Sequence, residues 1–112
     1  MCHTFTPLVT HHDRRKVVRC SCGTLHLVWH RLNLSLSPAE LGELARLLAG
    51  GPAPGERRTV GAWHLHVGVE VTGLWYGPFG ATFTRAELGG LRSLVDDVSA
   101  LASPRDPTWA LN

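Results

Sequence analysis

The sequence predicts an α+β fold built from an internal duplication of a β-hairpin–helix unit. Its sheet is mostly antiparallel, with two helices on one face. Two helix starts of the same type lie 47 residues apart (Ser37 and Thr84). Each follows a run that alternates apolar and polar residues, the period of a half-buried strand. The chain also aligns with itself across this distance without a gap.

The first half opens with a strand near residues 16–21. A second strand, Leu25–Trp29, is joined through "HR" to a third, in which Leu32, Leu34 and Leu36 alternate with Asn33 and Ser35. "SPAE" at Ser37–Glu40 is a capping box with proline at the first helical position. The serine hydroxyl accepts an orphan amide bond there, and the glutamate reaches back to the cap. Leu41, Leu44 and Leu48 then form an apolar helical stripe, which Gly50 and Gly51 stop.

The second half repeats this plan. A strand over 60–68 is followed by Val69–Tyr76, a "GP" connection, and Phe79, Ala81 and Phe83 in alternation. "TRAE" at Thr84–Glu87 is the second capping box. Its helix carries Leu88, Leu91, Val95, Val98 and Ala102 on one side and ends before Pro104. Leu27, Ala39, Glu40, Leu41, Gly42, Leu44 and Leu47 recur as Leu74, Ala86, Glu87, Leu88, Gly89, Leu91 and Leu94. The expected organisation is one domain over 1–112, with halves at about 16–49 and 60–102 and a turn-rich linker at 50–58.

A chain of 112 residues with 44% apolar and 18% charged residues can bury a core without disulfide staples. The net charge of +2 is too small to imply nucleic acid by itself. The first residues lack an apolar core of signal-peptide length, and no run approaches a membrane span, so a soluble cytoplasmic protein is expected. Three cysteines do not make a disulfide framework. In a reducing compartment they read as thiols or metal ligands.

Residues found in only one half are the candidates for function. At the 47-residue offset, Cys20, Cys22 and His26 fall over Val67, Val69 and Gly73. Cysteines two apart on a strand project to one side, and Gly23 lets the chain turn around an ion. Zinc takes such sulfur and imidazole donors in tetrahedral sets. Cys2 and His3 are the natural further ligands, on an N-terminal arm folded back over the turn. His26, His11 and His12 are alternates.

A second set is His64, His66 and Glu70 on one face of a continuous strand, with Trp63, Leu65, Val67, Val69 and Val71 on the core face. Two imidazoles and a carboxylate suit Fe, Mn or Zn. A third is the basic run Arg14, Arg15, Lys16 and Arg19, whose charges can track phosphates. Trp29, Trp63, Trp75 and Tyr76 stand in apolar runs and read as core. No phosphate-binding glycine loop, Gly-x-Ser-x-Gly or His-Glu-x-x-His occurs. The terminal Trp109 and Leu111 read as an apolar anchor for the domain or for a partner.

Two resemblances attach to these residues. "CSCG…HL…LNLSLSPAEL" resembles small uncharacterised bacterial proteins with a Cys-x-x-Cys…His-Leu strand and a Ser-x-x-Glu helix. This chain has one residue between its cysteines. That resemblance implies no activity and draws attention to the cysteine turn. His64, His66, Glu70 and Gly77 are spaced similarly to the first cupin motif, which would make the first three metal ligands. No histidine follows His66 to complete a second motif.

The leading expectation is therefore a non-catalytic protein holding a structural or sensing zinc at Cys20 and Cys22, self-associating as a two-fold dimer. The competing expectations are a metal-dependent enzyme using His64, His66 and Glu70, and a nucleic-acid-binding module using the 14–19 cluster. No small-molecule substrate is implied.

Overall fold

The structure is a computed structural model and describes residues 4–101. Cys2, His3, Trp109 and Leu111 lie outside the described residues. The class is α+β, as expected, and the order β-β-β-β-α occurs twice. Strands β1 (Phe5–His12), β2 (Arg15–Cys20), β3 (Leu25–Trp29) and β4 (Leu32–Leu36) lead into helix α1 (Pro38–Leu48). Strands β5 (Arg57–Val60), β6 (Trp63–Val67), β7 (Val71–Tyr76) and β8 (Phe79–Thr84) lead into α2 (Arg85–Leu101).

The strands form two four-stranded antiparallel meanders rather than the single shared sheet expected. Every strand pairs with its chain neighbour through a short turn. Between β4 and β5 stand α1 and a loop containing Gly50, Gly51 and Gly55 at positive φ, and there the ladder is not continued. Strands β1 and β5 are additions to the expected set. The burial of β1 is slight and it carries Pro7 and two register shifts, so it shows no alternation to read. Proline is tolerated there because β1 is an edge strand. The opening of β5 falls inside the segment expected to be linker.

Both capping boxes form. Ser37 Oγ accepts from the Glu40 amide at 3.1 Å, and Glu40 accepts from the Ser37 amide at 2.8 Å. Thr84 and Glu87 repeat the exchange at 3.1 and 2.9 Å. The two Thr84 bonds hold the Glu87 carboxyl below the usual carboxylate range, the backbone amide first and the hydroxyl second.

Each helix packs on the sheet of the other half. Helix α1 lies on β5 and β6, α2 lies on β1 and β2 as well as β7 and β8, and the two helices touch. The Trp63 indole N–H donates to the Glu40 carbonyl of α1 at 3.0 Å. Arg58 of β5 donates to the Leu47 and Ala49 carbonyls at 3.0 and 2.6 Å. It thereby satisfies orphan acceptors and places a cation at the negative end of α1. Trp29 of β3 meets Phe83 of β8 at 6.1 Å between ring centroids. Buried residues of both halves consequently form one cluster, from Val17, Leu27 and Leu44 to Leu65, Leu91 and Val95. Among the described residues, no helix is long and apolar enough to cross a membrane.

The inner faces of the sheets are thus covered by the helices and by each other. The outer faces carry the remaining alternation, and the candidate residues have to be sorted by face.

Candidate functional site

Cys20 ends β2 opposite Phe5 and is 1% exposed. It is disulfide-bonded and does not present the free thiol expected of it. Cys22 is exposed and sits in the turn after the strand, closed by Gly23 at φ 95° and by a Cys20 N–H bond to the Thr24 carbonyl at 2.8 Å. The two cysteines therefore do not share a strand face. The Cys22 sulfur lies 3.3 Å from the Thr24 hydroxyl. That hydroxyl, donating to the thiolate, is the main cause that holds the Cys22 pKa below its ordinary value.

The offset of 47 also fails at this turn. Val17 pairs with Leu27, as Leu65 pairs with Leu74, so Cys20 corresponds to Gly68 rather than Val67. The β2–β3 loop is one residue longer than its counterpart. His26 does correspond to Gly73 and points to the outer face of the first sheet. Phe5 meets it edge-on at 5.5 Å, and Ser35 Oγ lies 3.3 Å from its Nδ1. Its Nε2 is buried and has no hydrogen-bond partner among the described residues. Among the described residues, no three His, Cys, Asp or Glu side chains are disposed to hold a metal ion.

The set His64, His66 and Glu70 does not lie on one strand, because the chain reverses between them. The Gly68 N–H bonds to the Val71 carbonyl at 2.9 Å, which ends β6 at Val67 and leaves Glu70 in the turn. The reversal also moves the apolar residues expected in the core. Trp63, Leu65 and Val67 are buried, whereas Val69 is 80% and Val71 52% exposed. Alternation had carried straight through "HVGVEV" because both arms of the turn share one period.

The basic run is divided between the two faces of its sheet. Arg15 and Arg19 share the inner face with Leu25, Leu27 and Trp29, while Lys16 lies on the outer face opposite Val28. Arg14 is exposed at the β1–β2 turn. Arg15 stands 4.3 Å over the Trp29 ring and donates through Nε to His30 Nε2 at 2.8 Å. Four charges within six residues thus do not form one stripe.

The second sheet presents a different arrangement. Its register places Arg57, Thr59, His64, His66, Val71, Gly73, Trp75, Gly80 and Thr82 on the outer face. No Asp or Glu is among them. Trp75 is not core. It is 41% exposed and lies flat along the sheet. A Cβ on Gly73 would come 2.2 Å from the Trp75 ring, and one on Gly80 2.6 Å, so the indole occupies the space that both glycines leave. His64 pairs with Trp75, His66 pairs with Gly73, and Arg57 pairs with His66. Thr59 Oγ1 lies 3.2 Å from His64 Nδ1.

The result is a rigid aromatic platform flanked by an arginine and two imidazoles. An aromatic face open to solvent binds flat apolar or π-faced groups, and the surrounding donors favour an anionic frame. The sequence does contain the signal, in "GLWYGPFG". A two-residue loop sets Trp75 against Gly80, and Gly73 precedes it on the same face. Comparisons with protein-family models, curated proteins and solved structures find no match for the chain.

Proposed function

We propose that the chain is a non-catalytic module that binds single-stranded nucleic acid on the outer face of its second sheet. The observation that carries this reading is Trp75, held flat over Gly73 and Gly80 on an exposed face without carboxylates. A base stacked on an exposed aromatic gains roughly 1–3 kcal/mol, whatever its identity. Arg57, with His64 and His66 beside it, supplies cationic and donor contacts for the phosphates. A four-stranded sheet has room for about two or three splayed bases. A duplex hides the π-faces that this platform engages.

Fluorescence anisotropy with a labelled oligothymidylate and a matched duplex tests the reading. Micromolar binding to the single strand is expected at low salt, with a marked preference over the duplex. The logarithmic salt slope should be shallow, about −0.7 per phosphate neutralised. No binding at 100-fold lower affinity than this, roughly 0.1 mM protein, or equal binding of the duplex, would contradict it. Size-exclusion chromatography of the same sample covers the remaining use of this face. Exposed Val71 and Trp75, with Val69 in the adjoining turn, are apolar enough for a two-fold self-contact, and a dimer that dissociates in Trp75→Ala would assign the face to that.

Zinc on the β2–β3 hairpin is the second reading. It is favoured by the exposed, acid-shifted Cys22 thiol and by His26 Nε2 on the same hairpin, buried and without a hydrogen-bond partner among the described residues. It requires reduction of the Cys20 disulfide. Elemental analysis of protein purified under reducing conditions is expected to give one zinc per chain, lost in Cys20→Ser/Cys22→Ser. Metal-free protein would remove this reading, and retention of iron or manganese until His64→Ala would point to the other histidine set.

A further inference from the structure

A second concave site lies at the opposite sheet, where the β1–β2 and β3–β4 turns meet α2. A cleft of about 360 Å³ is lined by His11, His12, Arg15, His30 and Gly90. Its hydrogen bonds consume acceptors and leave donors. The Arg15 Nε–H donates to His30 Nε2 at 2.8 Å, so the proton of His30 sits on Nδ1. The Arg14 amide donates to His12 Nδ1 at 3.3 Å, so His12 carries its proton on Nε2. His11 Nε2 is engaged by Asp97 at 2.6 Å. The guanidinium of Arg15 is immobilised over the Trp29 ring, with its fork of further N–H groups directed away from Nε.

The backbone is adapted to this cluster. His30 has φ 56°, the only positive φ of a non-glycine residue among the described ones. It is the first residue of the β3–β4 turn. The matching turn of the second half has Gly77 there at the same φ of 56°. Keeping a histidine where the turn calls for glycine costs stability, and such strain collects at functional sites. Gly90 is a second departure, a glycine inside α2. A Cβ there would stand 3.0 Å from the Trp29 ring and 3.3 Å from an Arg15 Nη, so its absence lets the helix close over the guanidinium.

We infer that this cleft binds a phosphate-class oxyanion, received by the Arg15 guanidinium with the N–H groups of His12 and His30. A planar guanidinium suits two oxygens of such an anion at once. Two carboxylates near the cleft are already engaged, while Asp13, beside His12 in the β1–β2 turn, is exposed to solvent. Asp97 accepts from His11, and Glu87, which feels His30 and Arg15 weakly, is held in its capping box by Thr84. The ligand chemistry is shared by free inorganic phosphate and by the terminal phosphate of a larger ester.

Isothermal titration of the full chain in low-chloride buffer, without nucleic acid, tests the site separately from the single-strand reading. Inorganic phosphate is expected to bind at millimolar concentration or tighter. Arg15→Met, which keeps the stem over Trp29, should weaken it by roughly tenfold or more. His12→Ala, at an exposed position, should weaken it severalfold while melting like the parent. Equal binding of glycerol phosphate would identify the end of an ester as the ligand, and exclusion of it would identify the free ion. No heat at 20-fold millimolar excess, about 20 mM phosphate, or unchanged affinity in a folded His12→Ala together with Arg15→Met, overturns the inference.

Discussion

Replacing Trp63 with alanine is expected to destabilise the chain by roughly 3–5 kcal/mol, the range for deleting a large aromatic from a closed core. Trp63 is 1% exposed and packs against Tyr76 at 4.4 Å between centroids, with the ring planes tilted by 50°. Its indole N–H is also a tie between the halves, through the Glu40 carbonyl of α1. The cavity would open where α1 crosses onto the second sheet, so the loss should reach the whole molecule rather than one hairpin. A domain of this length holds about 5–15 kcal/mol in total. Urea denaturation is the measurement, and Trp63→Phe separates the terms. Phenylalanine keeps most of the buried area and loses the hydrogen bond, for a cost of about 1–2 kcal/mol. If Trp63→Ala unfolds at the parental midpoint, the crossed packing of the helices is wrong.

The second large effect is on binding. Trp75→Ala should lower affinity for oligothymidylate by roughly 5- to 150-fold, the loss of about one stacked base at 1–3 kcal/mol. Its fold should survive, because the indole lies outside the core and its glycine neighbours need no filling to keep their backbone. Trp75→Phe should recover part of the affinity, since a smaller ring still covers part of the platform. Parental affinity in a folded Trp75→Ala would remove this residue from the interface. The comparison is sharpened by Lys16→Ala on the other sheet, where only a small general electrostatic change is expected.

The scaffold was legible wherever a local rule acts alone. Ser37–Glu40 and Thr84–Glu87 announce helix starts because a hydroxyl and a carboxylate three residues apart satisfy each other's amides, and both pairs form. "HR" and "GP" mark two-residue turns, with His30 and Gly77 at positive φ. Strand β1 was hidden because Phe5, Thr6 and Pro7 are all exposed and an edge strand needs no alternation. The β6–β7 reversal was hidden because Val67, Val69 and Val71 keep one period through a turn that puts Val69 and Val71 outside.

The sites depended on these same details. Once β6 ends at Val67, Glu70 leaves the face of His64 and His66. Once β7 begins at Val71, Trp75 turns outward onto Gly73 and Gly80. Arg14, Arg15 and Lys16 are neighbours in sequence, yet a strand sends alternate residues to opposite faces. That periodicity was present in the sequence, and it divides the basic run just as it assembles the second sheet's outer face. The cross-packing of the helices was not legible. It is decided by which sheet each apolar stripe buries against, and both stripes are Leu-rich and interchangeable in composition.

The most direct test of the single-strand interface is a titration of ¹⁵N-labelled protein with oligothymidylate, followed through the indole N–H signals. The Trp75 indole should shift in proportion to saturation, together with amides of Thr59, His64, His66 and Gly80, while the Trp63 indole stays in place. Shifts confined to the first sheet, or a Trp75 signal unmoved at saturation, would contradict it.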